Sequence, residues 1–539
     1  MGIYLDSKTA YTLYNDEVNK PYFVDKSLLL KELFPLVKEG GNYICITRPR
    51  RFGKTVMANM IASFFTRACD AGTLFEPLKI SQEEGYSDFL NQYPVIHISF
   101  NDTAGSNITY EQYIRRIEKR LVRDLMKAYP EIELEDEEFA VDVLMQIYAE
   151  DDTARFIFIL DEWDYIFHQD FVTEADKKEY LTFLRSLLKD RPYVLLAYMT
   201  GILPIAKYSS GSELNMFAEF TMAAEERFSD YFGFTEKEVD DLFERYQKKN
   251  HLSQEVTREA LKYWYDGYHT FSGGRLYNPR SVVMSLWNNN LGNYWTSSGP
   301  YDEIYYYIEN NIDAVRDDLA VMVSGREVPV KIREYAATSQ NLSTREEIFS
   351  AMVVYGFLSY ENGRVSIPNK ELMDRFADML QKEKSLGYVY QLAKESGRML
   401  TATLNGDTQT MTEILELAHD TEAPLLNYNN ETELTAVVNL VYLAARDMYR
   451  VEREDKAGKG FVDFIFYPVV DRSADCIILE LKVGHTPEEA IHQIRGKNYA
   501  LRFQGKLGEK SKYTGRILAV GISYDKEKKR HLCKIEVLK

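Results

Sequence analysis

Residues 44–55 read ICITRPRRFGKT, an apolar run followed by basic residues and then by Gly53, Lys54 and Thr55. The apolar run is typical of a buried β-strand, and the residues that follow Thr55 have helical spacing. A loop between a strand and a helix can wrap backbone N–H groups, a lysine and a hydroxyl around a phosphate. The stretch therefore predicts a phosphate-binding loop within an α/β fold.

The surrounding sequence extends this pattern over residues 1–230. Helical spacing is found in Lys54–Arg67 and in Tyr110–Tyr129. Strands whose residues are almost all apolar are usually covered by other elements on both faces of their sheet. We therefore expect a P-loop NTPase parallel sheet with helices on both faces. Its strands are predicted at Tyr43–Thr47, Val95–Phe100, Phe156–Leu160 and Tyr193–Thr200.

Two further regions follow. Residues 231–420 are expected to form a helical middle region rich in aromatic side chains, with Trp264–Tyr268 and Tyr277–Arg280 packed around a tight turn. Residues 421–539 change to a mixed pattern that predicts a C-terminal α/β domain. Its helices are predicted at Glu431–Met448 and Pro487–Arg502, and its strands at Tyr449–Glu454, Phe461–Tyr467, Cys476–Val483, Arg516–Ser523 and His531–Leu538.

Composition limits the classes of protein to which this chain can belong. The 539 residues are too many for one hydrophobic core, and 45% hydrophobic with 27% charged residues is ordinary for a folded protein. The net charge of −18 argues against a protein that coats nucleic acid. The charge is unevenly distributed, because residues 1–420 carry −21, residues 421–490 carry −6 and residues 491–539 carry +9.

Cysteine usage and hydropathy bear on the cellular location. The four cysteines show no C-x-x-C pair, which favours a reducing cytoplasm over a disulfide framework. No apolar run approaches the length of a membrane span, and Met1–Ala10 does not resemble a signal peptide. We therefore expect a cytoplasmic protein with no membrane role.

A second acidic feature supports a nucleotide site. Asp161 and Glu162 follow the apolar run Phe156–Leu160, as in a Walker B strand. In such a site Thr55 and Asp161 would hold Mg²⁺, Lys54 would reach the phosphates of ATP, and Glu162 would polarise the attacking water. Thr200 and Gly201 fall where a residue that senses the γ-phosphate could lie.

The loop departs from the usual glycine-rich pattern. Arg48 stands where the first glycine is expected, and Arg50 and Arg51 follow it. These arginines could neutralise phosphate charge or contact a partner. The alternative is that they are solvated loop charges, and the sequence leaves both interpretations open.

The C-terminal region contains a set of residues suited to phosphodiester chemistry. Asp463 lies in one predicted strand, and Glu480 and Lys482 lie in another, on the same face because side chains alternate. Carboxylate oxygens suit Mg²⁺ or Mn²⁺, so Asp463 and Glu480 are candidate metal ligands. Lys482 would orient the water and stabilise charge in the transition state. The alternative is an edge strand with ordinary surface charges.

Flanking helices could add to this set. Glu431 begins the preceding helix and could contribute a carboxylate through the water shell of the metal. Thr486, Pro487 and Glu489 form a predicted capping box at the start of the following helix. That helix presents Gln493 and Lys497 on one face, and Gln493 could hydrogen-bond a phosphate or a metal-bound water.

The N-terminal motifs resemble those of the bacterial AAA-ATPase-like family. The resemblance rests on residues 22–27 (YFVDKS), 48–55 (RPRRFGKT), 160–164 (LDEWD) and 200–203 (TGIL). An arginine-rich loop commonly replaces the glycine-rich loop in that family, which agrees with Arg48. The aromatic block at residues 263–280 is similar to the middle region of the same family.

The C-terminal motifs resemble the PD-(D/E)XK nuclease domain that accompanies this ATPase family. They are residues 460–463 (GFVD), residues 479–482 (LELK), and Gln493, Lys497 and Tyr499. Val462 replaces the proline that gives the family its name, but only the carboxylate of Asp463 is needed chemically. The resemblance implies a restriction-endonuclease-like α/β domain.

Three functions are compatible with these features. The first is an ATP-regulated, Mg²⁺-dependent DNA nuclease whose basic residues 491–539 hold the phosphate backbone. The second is a nucleotide-switched regulator whose nuclease fold only binds nucleic acid or protein. The third is an ATPase with a structural C-terminal domain. A homo-oligomer is compatible with all three.

Overall fold

The computed structural model describes residues 2–101, 108–132, 139–205, 213–222, 227–249, 256–295, 303–332, 342, 344–417, 431–457, 460–469, 471–497, 499–503 and 513–538. Internal packing divides the chain into two compact units. The first comprises residues 1–300, 331–342 and 346–363, and the second comprises residues 301–330, 343–345 and 364–539. Residues 231–420, which were expected to form one middle region, contribute to both units.

The first 300 residues alternate strands and helices. The strands are β1 (Asn42–Thr47), β2 (Val95–Ser99), β3 (Phe156–Asp161), β4 (Val194–Gly201), β5 (Ala218–Phe220), β6 (Tyr268–His269) and β7 (Arg275–Leu276). The helices are α1 (Lys8–Val18), α2 (Leu29–Glu39), α3 (Lys54–Phe65), α4 (Gly72–Phe75), α5 (Tyr86–Phe89), α6 (Tyr110–Ala128), α7 (Ala140–Glu150), α8 (Glu174–Leu188), α9 (Glu236–Lys249), α10 (Arg258–Tyr265) and α11 (Pro279–Asn288).

The first unit is built on a parallel sheet. Its strand order is β2-β3-β4-β1-β5, and every neighbouring pair is parallel. The four predicted strands are confirmed to within a residue at each end, whereas β5 is too short to have been predicted from its composition. Thr47 pairs with Gly201, and Ser99 pairs with Asp161. The carboxyl ends of these strands therefore meet at one edge, where ligands bind in open α/β sheets.

Helices cover both faces of this sheet, as the near-continuous apolar strands predict. On one face, α1, α2 and α3 form a buried core with Ile157 and Ile159 of β3. On the other face, Phe156 contacts Tyr129 at the end of α6, and Phe100 contacts Tyr180 of α8. Alternate residues of β3 thus enter two separate cores, which explains why the strand has no polar position before Asp161.

The described residues between 303 and 417 are mainly helical. They form α12 (Glu303–Ile308), α13 (Ile312–Val323), α14 (Arg345–Tyr355), α15 (Lys370–Lys382), α16 (Tyr388–Lys394), α17 (Ser396–Asn405) and α18 (Thr408–Glu416), with short strands β8 (Val328–Pro329), β9 (Ser359–Glu361) and β10 (Arg364–Ser366). No helix in the described parts of the chain has the length and apolar character that crossing a bilayer requires.

The C-terminal part of the second unit is a mixed α/β fold. It contains α19 (Glu431–Val441), β11 (Tyr449–Ala457), β12 (Gly460–Pro468), β13 (Cys476–Val483), α20 (Pro487–Gly496), β14 (Ile517–Asp525) and β15 (Arg530–Val537). These strands form a sheet in the order β11-β12-β13-β14-β15. Only β13 and β14 are parallel, because α20 forms the crossover between them.

Two predicted helices are too long. The helix predicted at Pro487–Arg502 ends at Gly496 and is followed by a 3₁₀ turn over Tyr499–Phe503. The helix predicted at Glu431–Met448 ends at Val441, before a second 3₁₀ turn. In both cases apolar residues continue at helix-like spacing, so the sequence pattern does not reveal where the backbone tightens.

Candidate active sites

The phosphate-binding loop runs from β1 into α3, as the sequence predicts. Gly53 is the N-cap of α3 and has a φ of 90°, and Arg51 has a φ of 69°. A Cβ at Gly53 would meet nothing within 4 Å, so glycine is required there for its backbone conformation and not for space. These two left-handed residues turn the chain so that Lys54 and Thr55 begin the helix.

Lys54 is buried at the centre of the loop. Its Nζ donates hydrogen bonds to the carbonyl oxygens of Arg48, at 2.8 Å, and Pro49, at 2.9 Å. Burial lowers the pKa of Lys54 to about 8, although the nearby carboxylates, led by Asp164, act in the opposite direction. The carbonyl oxygens of the loop thus accept hydrogen bonds from the ammonium group. Lys54 must break these hydrogen bonds before it can contact a phosphate.

The acidic end of β3 faces this loop. Asp161 is fully buried, and its Oδ1 accepts a hydrogen bond from Oγ1 of Thr200. Its Oδ2 has no hydrogen-bond partner among the described residues. A buried carboxylate oxygen without a donor is suited to a hard cation, so Asp161 fits the Mg²⁺ expected with a nucleotide.

Glu162 follows Asp161 in an unusual conformation. Its φ is 55°, which places a non-glycine residue in the left-handed region. Burial, followed by the charge of Asp161, raises the pKa of Glu162. Backbone strain of this kind is concentrated at functional sites.

Asp164 is a residue of the site that our reasoning from sequence did not single out. Its Oδ2 accepts hydrogen bonds from the backbone N–H groups of Ile202, at 2.9 Å, and Leu203, at 2.8 Å. The carboxylate thus fixes the segment that follows β4 against the segment that follows β3. The signal was present in the LDEWD stretch, but its bonding partners lie 38 and 39 residues away in sequence.

A cleft of about 890 Å³ in the first unit opens onto the loop. Arg50, Arg51, Gly53, Lys54, Thr55 and Glu162 all line it. The structure thus brings together at one cleft most of the nucleotide-binding residues that the sequence predicts, whereas the fully buried Asp161 is not among the residues that line it. A volume of this size is typical of small-molecule sites.

Arg48 does not line this cleft, contrary to its predicted role as a phosphate ligand. The guanidinium is buried, and NH1 donates to the carbonyl oxygens of Thr47 and Phe220, each at 2.8 Å. It lies 5.2 Å from the ring centre of Phe232, and burial lowers its pKa to about 10. Arg48 therefore links β1 to β5 through NH1, while its Nε and NH2 are buried without a hydrogen-bond partner among the described residues.

Residues of the region that follows β5 contact the phosphate-binding loop. The indole Nε1 of Trp295 donates to the carbonyl oxygen of Arg50 at 3.1 Å, and NH1 of Arg51 donates to that of Tyr294 at 3.2 Å. The ring of Phe52 packs edge-on against Tyr268, with centroids 5.0 Å apart. These contacts constrain a loop that lacks the usual first glycine.

The second candidate site lies on one face of the C-terminal sheet. Along β13, the side chains of Cys476 and Ile478 lie in the apolar core beneath α20. Those of Glu480 and Lys482 follow on the same face of the strand. Phe464 pairs with Leu479, so continuing the register by one residue sets Asp463 opposite Glu480. Oδ2 of Asp463 accepts a hydrogen bond from the backbone N–H of Leu481 at 2.8 Å.

Glu480 is the most strongly perturbed acid of this face. Its side chain is 4% exposed, and burial, followed by the charge of Asp463, raises its pKa to about 7. The Nζ of Lys482 lies 3.4 Å from Oε1 of Glu480, and Nε2 of Gln493 also donates to Oε1. Oε2 is buried and has no hydrogen-bond partner among the described residues.

The position of α20 explains how Gln493 reaches Glu480. Gly521 of β14 pairs with Glu480, and a Cβ at Gly521 would lie 2.4 Å from the carbonyl oxygen of Pro487. The absence of a side chain thus allows the start of α20 to approach the sheet closely. Thr486 and Glu489 form the predicted capping box, which fixes where the helix begins.

The donor set fits a hard divalent cation. Asp463 and Glu480 supply carboxylate oxygens, and the unbonded Oε2 of Glu480 is the group that a cation would satisfy. The described residues contain no group of three or more His, Cys, Asp or Glu side chains arranged to hold a metal. The predicted site would therefore need water or substrate oxygens as further ligands. The side chain of Glu431 lies outside the described residues.

Family models match two separate parts of the chain. The model of the AAA-ATPase-like family, described as predicted AAA-ATPase, matches residues 16–210. The model of the PD-(D/E)XK nuclease superfamily matches residues 430–532. These matches cover the phosphate-binding loop with its acidic strand, and the sheet that carries Asp463, Glu480 and Lys482.

Two individual proteins are similar over larger parts of the chain. An uncharacterized protein in the vnfD 5' region of Azotobacter chroococcum mcd 1 is 25% identical over 286 residues, which is 52% of this chain and 51% of that protein. The chain thus spans about half the length of this curated relative. The structure of the Walker-type ATPase PABY2304 of Pyrococcus abyssi matches 65% of this chain, and the match includes 94% of the Pyrococcus chain. The sequence identity is 13% and the TM-score is 0.36.

Proposed function

Because the chain combines an AAA-ATPase-like domain with a domain of the PD-(D/E)XK nuclease superfamily, we propose that it is an ATP-binding, Mg²⁺-dependent DNA nuclease. The observation that carries the proposal is the environment of Glu480. This carboxylate is buried opposite Asp463 and beside Lys482, and one of its oxygens has no hydrogen-bond partner among the described residues. Most buried side-chain oxygens in folded proteins have a hydrogen-bond partner, so an oxygen left without one is available to a cation.

The residues divide the chemistry of phosphodiester hydrolysis between them. Mg²⁺, or Mn²⁺ in its place, would lower the pKa of the attacking water and offset the charge that develops on phosphorus. Asp463 and Glu480 would bind the cation, and Gln493 would orient the Glu480 carboxylate. Lys482 would orient the water and stabilise the negative charge of the transition state, since its ammonium group lies on the same face. Water adds to phosphorus as the bond to the leaving sugar oxygen breaks.

The first unit would bind ATP with Mg²⁺. Lys54 and Thr55 would contact the phosphates and the cation, Asp161 would complete the binding of the cation, and Glu162 would polarise a water. We propose that the nucleotide state controls either cleavage or DNA binding by the second unit. The net charge of +9 on residues 491–539 supports a role for this segment in binding the DNA backbone.

A second candidate function is a nucleotide-switched regulator that does not cleave DNA. The charge of −21 on residues 1–420 favours it, because this acidic bulk would repel nucleic acid. In such a protein the C-terminal fold would only bind a nucleic acid or a protein. The two candidates differ in whether Glu480 and Lys482 are needed for chemistry.

Cleavage of plasmid and single-stranded DNA by the full chain tests the proposal. We expect cleavage with Mg²⁺, none with EDTA, and a loss of at least 100-fold in Lys482→Ala. Lys382→Ala removes an exposed lysine of α15, outside residues 491–539, and is the matched control, which should cleave like the wild type. Cleavage that survives loss of Lys482 would rule out this site. Absence of cleavage with ATP, with ADP and without nucleotide would favour the regulator.

A further inference from the structure

The helix α11 presents one face to the nucleotide cleft. Arg280, Val283, Met284 and Trp287 line the cleft, and their spacing of i, i+3, i+4 and i+7 places them on one side of the helix. The opposite side, with Ser281, Val282, Ser285 and Leu286, is buried in the protein. Asn278 caps the helix, with its Oδ1 accepting a hydrogen bond from the N–H of Ser281 at 3.2 Å.

The start of α11 lies on the same side of the cleft as the phosphate-binding loop. The N–H of Gly233 donates to the carbonyl oxygen of Phe52 at 3.3 Å, and a Cβ at Gly233 would touch both Phe52 and Leu276. The backbone of Phe234 is hydrogen-bonded to that of Tyr277, two residues before α11 begins. Arg280 lies in the first turn of α11, at the end of this face that is joined to the loop through Gly233 and Phe234.

The far end of α11 meets a different wall of the cleft. The hydroxyl of Tyr22 lies 3.5 Å from the carbonyl oxygen of Leu286, and Tyr22, Phe23 and Val24 line the cleft there. Trp287 is 62% exposed and makes no ring contact within the described residues. A large indole surface beside apolar side chains in a cleft is suited to stacking against a flat ring.

The charges of the cleft lining fit a polyanion. Cationic side chains outnumber carboxylates, although the whole chain has a net charge of −18. Arg280 is exposed, and no carboxylate in the described parts of the chain forms an ion pair with it. The cations are Lys20, Lys26, Arg50, Arg51, Lys54 and Arg280, and the carboxylates are Glu17, Glu162 and Asp164.

We infer that α11 forms the second wall of the nucleotide site, in which Arg280 binds the phosphates and Trp287 stacks on the base. This inference rests on the proposed binding of ATP. Seven residues of helix separate the two side chains, which is about 10 Å along the axis. A nucleoside triphosphate has its charge at one end and its flat ring at the other, and the face of α11 has the matching polarity.

Tryptophan fluorescence and calorimetry of the full chain test the inference. Mg-ATP should change the tryptophan emission of the wild type and of Trp264→Phe, whose replaced residue does not line the cleft. Most of the emission change should be lost in Trp287→Phe while calorimetric binding persists, because Trp163 and Trp295 are buried. Trp287→Ala should weaken ATP binding at least tenfold and leave binding of inorganic tripolyphosphate unchanged. Arg280→Ala should weaken both at least tenfold.

The outcomes separate this inference from the proposal on which it rests. If the wild type binds ATP in a manner that depends on Lys54, and Trp287→Ala and Arg280→Ala bind it with wild-type affinity, the role of α11 is wrong while the ATP site stands. If the wild type does not bind ATP, both fail. Both replaced side chains are exposed, so circular dichroism should show that the variants fold like the wild type.

Discussion

The side-chain amide of Gln493 donates a hydrogen bond to Oε1 of Glu480, so the helix that follows β13 holds the carboxylate of that strand. The bond leaves Oε2 buried with no partner in the described part of the chain. A carboxylate in this position is poorly solvated unless a proton or a cation satisfies it.

Glu480→Gln should stabilise the metal-free protein at pH 8. The pKa of Glu480 is raised from 4.5 to about 7, so the ionised group destabilises the folded state once the pH exceeds 4.5, and the effect is complete above pH 7. At 1.36 kcal/mol per pKa unit this destabilisation is about 3 kcal/mol. Calorimetric unfolding in EDTA should give a higher melting temperature for the variant at pH 8 and nearly equal values at pH 4.5.

Mg²⁺ supplies the control for this prediction. It should raise the melting temperature of the wild type at pH 8 and leave that of Glu480→Gln unchanged, because an amide oxygen binds the cation weakly. A variant that is less stable than the wild type at pH 8 would show that the Glu480 carboxylate is a structural group.

Gly521→Ala should reduce both stability and cleavage. The added Cβ would lie 2.4 Å from the carbonyl oxygen of Pro487, which is backbone and cannot rotate away. We expect overpacking to lower the free energy of unfolding by about 1–3 kcal/mol. Cleavage should be at least tenfold slower, because a shift of α20 would move Gln493 away from Glu480. Gly496→Ala, whose Cβ would meet nothing within 4 Å, is the control and should not lose stability. Equal effects of the two substitutions would contradict this account.

Lys54→Met should weaken ATP binding about 10- to 100-fold, because a hydrogen bond to a charged group contributes about 1.5–3 kcal/mol. Burial lowers the pKa of Lys54 to about 8 in the nucleotide-free protein, so the fraction that carries the ammonium falls as the pH rises through 8. Wild-type affinity should therefore decrease between pH 7 and pH 9, with proton uptake detectable by calorimetry in buffers of different ionisation enthalpy.

The control for Lys54→Met is Lys31→Ala, which removes an exposed lysine of the first unit that is paired with Glu83 and does not line the cleft. It should change affinity less than threefold and keep the pH dependence. The same pH dependence in Lys54→Met would assign the titration to another group.

Trp295→Phe should loosen the phosphate-binding loop. The substitution removes the indole donor to the carbonyl oxygen of Arg50 but keeps an aromatic ring beside Phe357. We expect the free energy of unfolding to fall by about 1 kcal/mol. Amide hydrogen exchange at residues 50–53 should be faster, and ATP binding should be several-fold weaker. Tyr294→Phe removes a hydroxyl that bonds Asn290 outside the loop, and it should leave loop exchange unchanged. Unchanged exchange in both variants would show that Trp295 does not stabilise the loop.

The sequence alone determined the features that depend on short stretches of backbone. The loop at Gly53 and Lys54 follows from a strand, a turn and a helix in succession, and Asp161 ends its strand because the apolar run stops there. Glu480 and Lys482 share a face because successive side chains of a strand point to opposite sides. Each of these relationships spans a few residues, so local geometry is sufficient to establish it.

Only the tertiary structure decided which distant groups complete the sites. Arg48 looks like a phosphate ligand in sequence but is buried against the carbonyl oxygen of Phe220, 172 residues away. Trp295 donates a hydrogen bond to Arg50, 245 residues away in sequence. Gly521 matters because the start of α20 packs so close to the sheet that a Cβ at this position would clash with it. Such contacts depend on how whole elements pack, and the local sequence does not encode that packing, because the same residue types are compatible with many arrangements until the core closes.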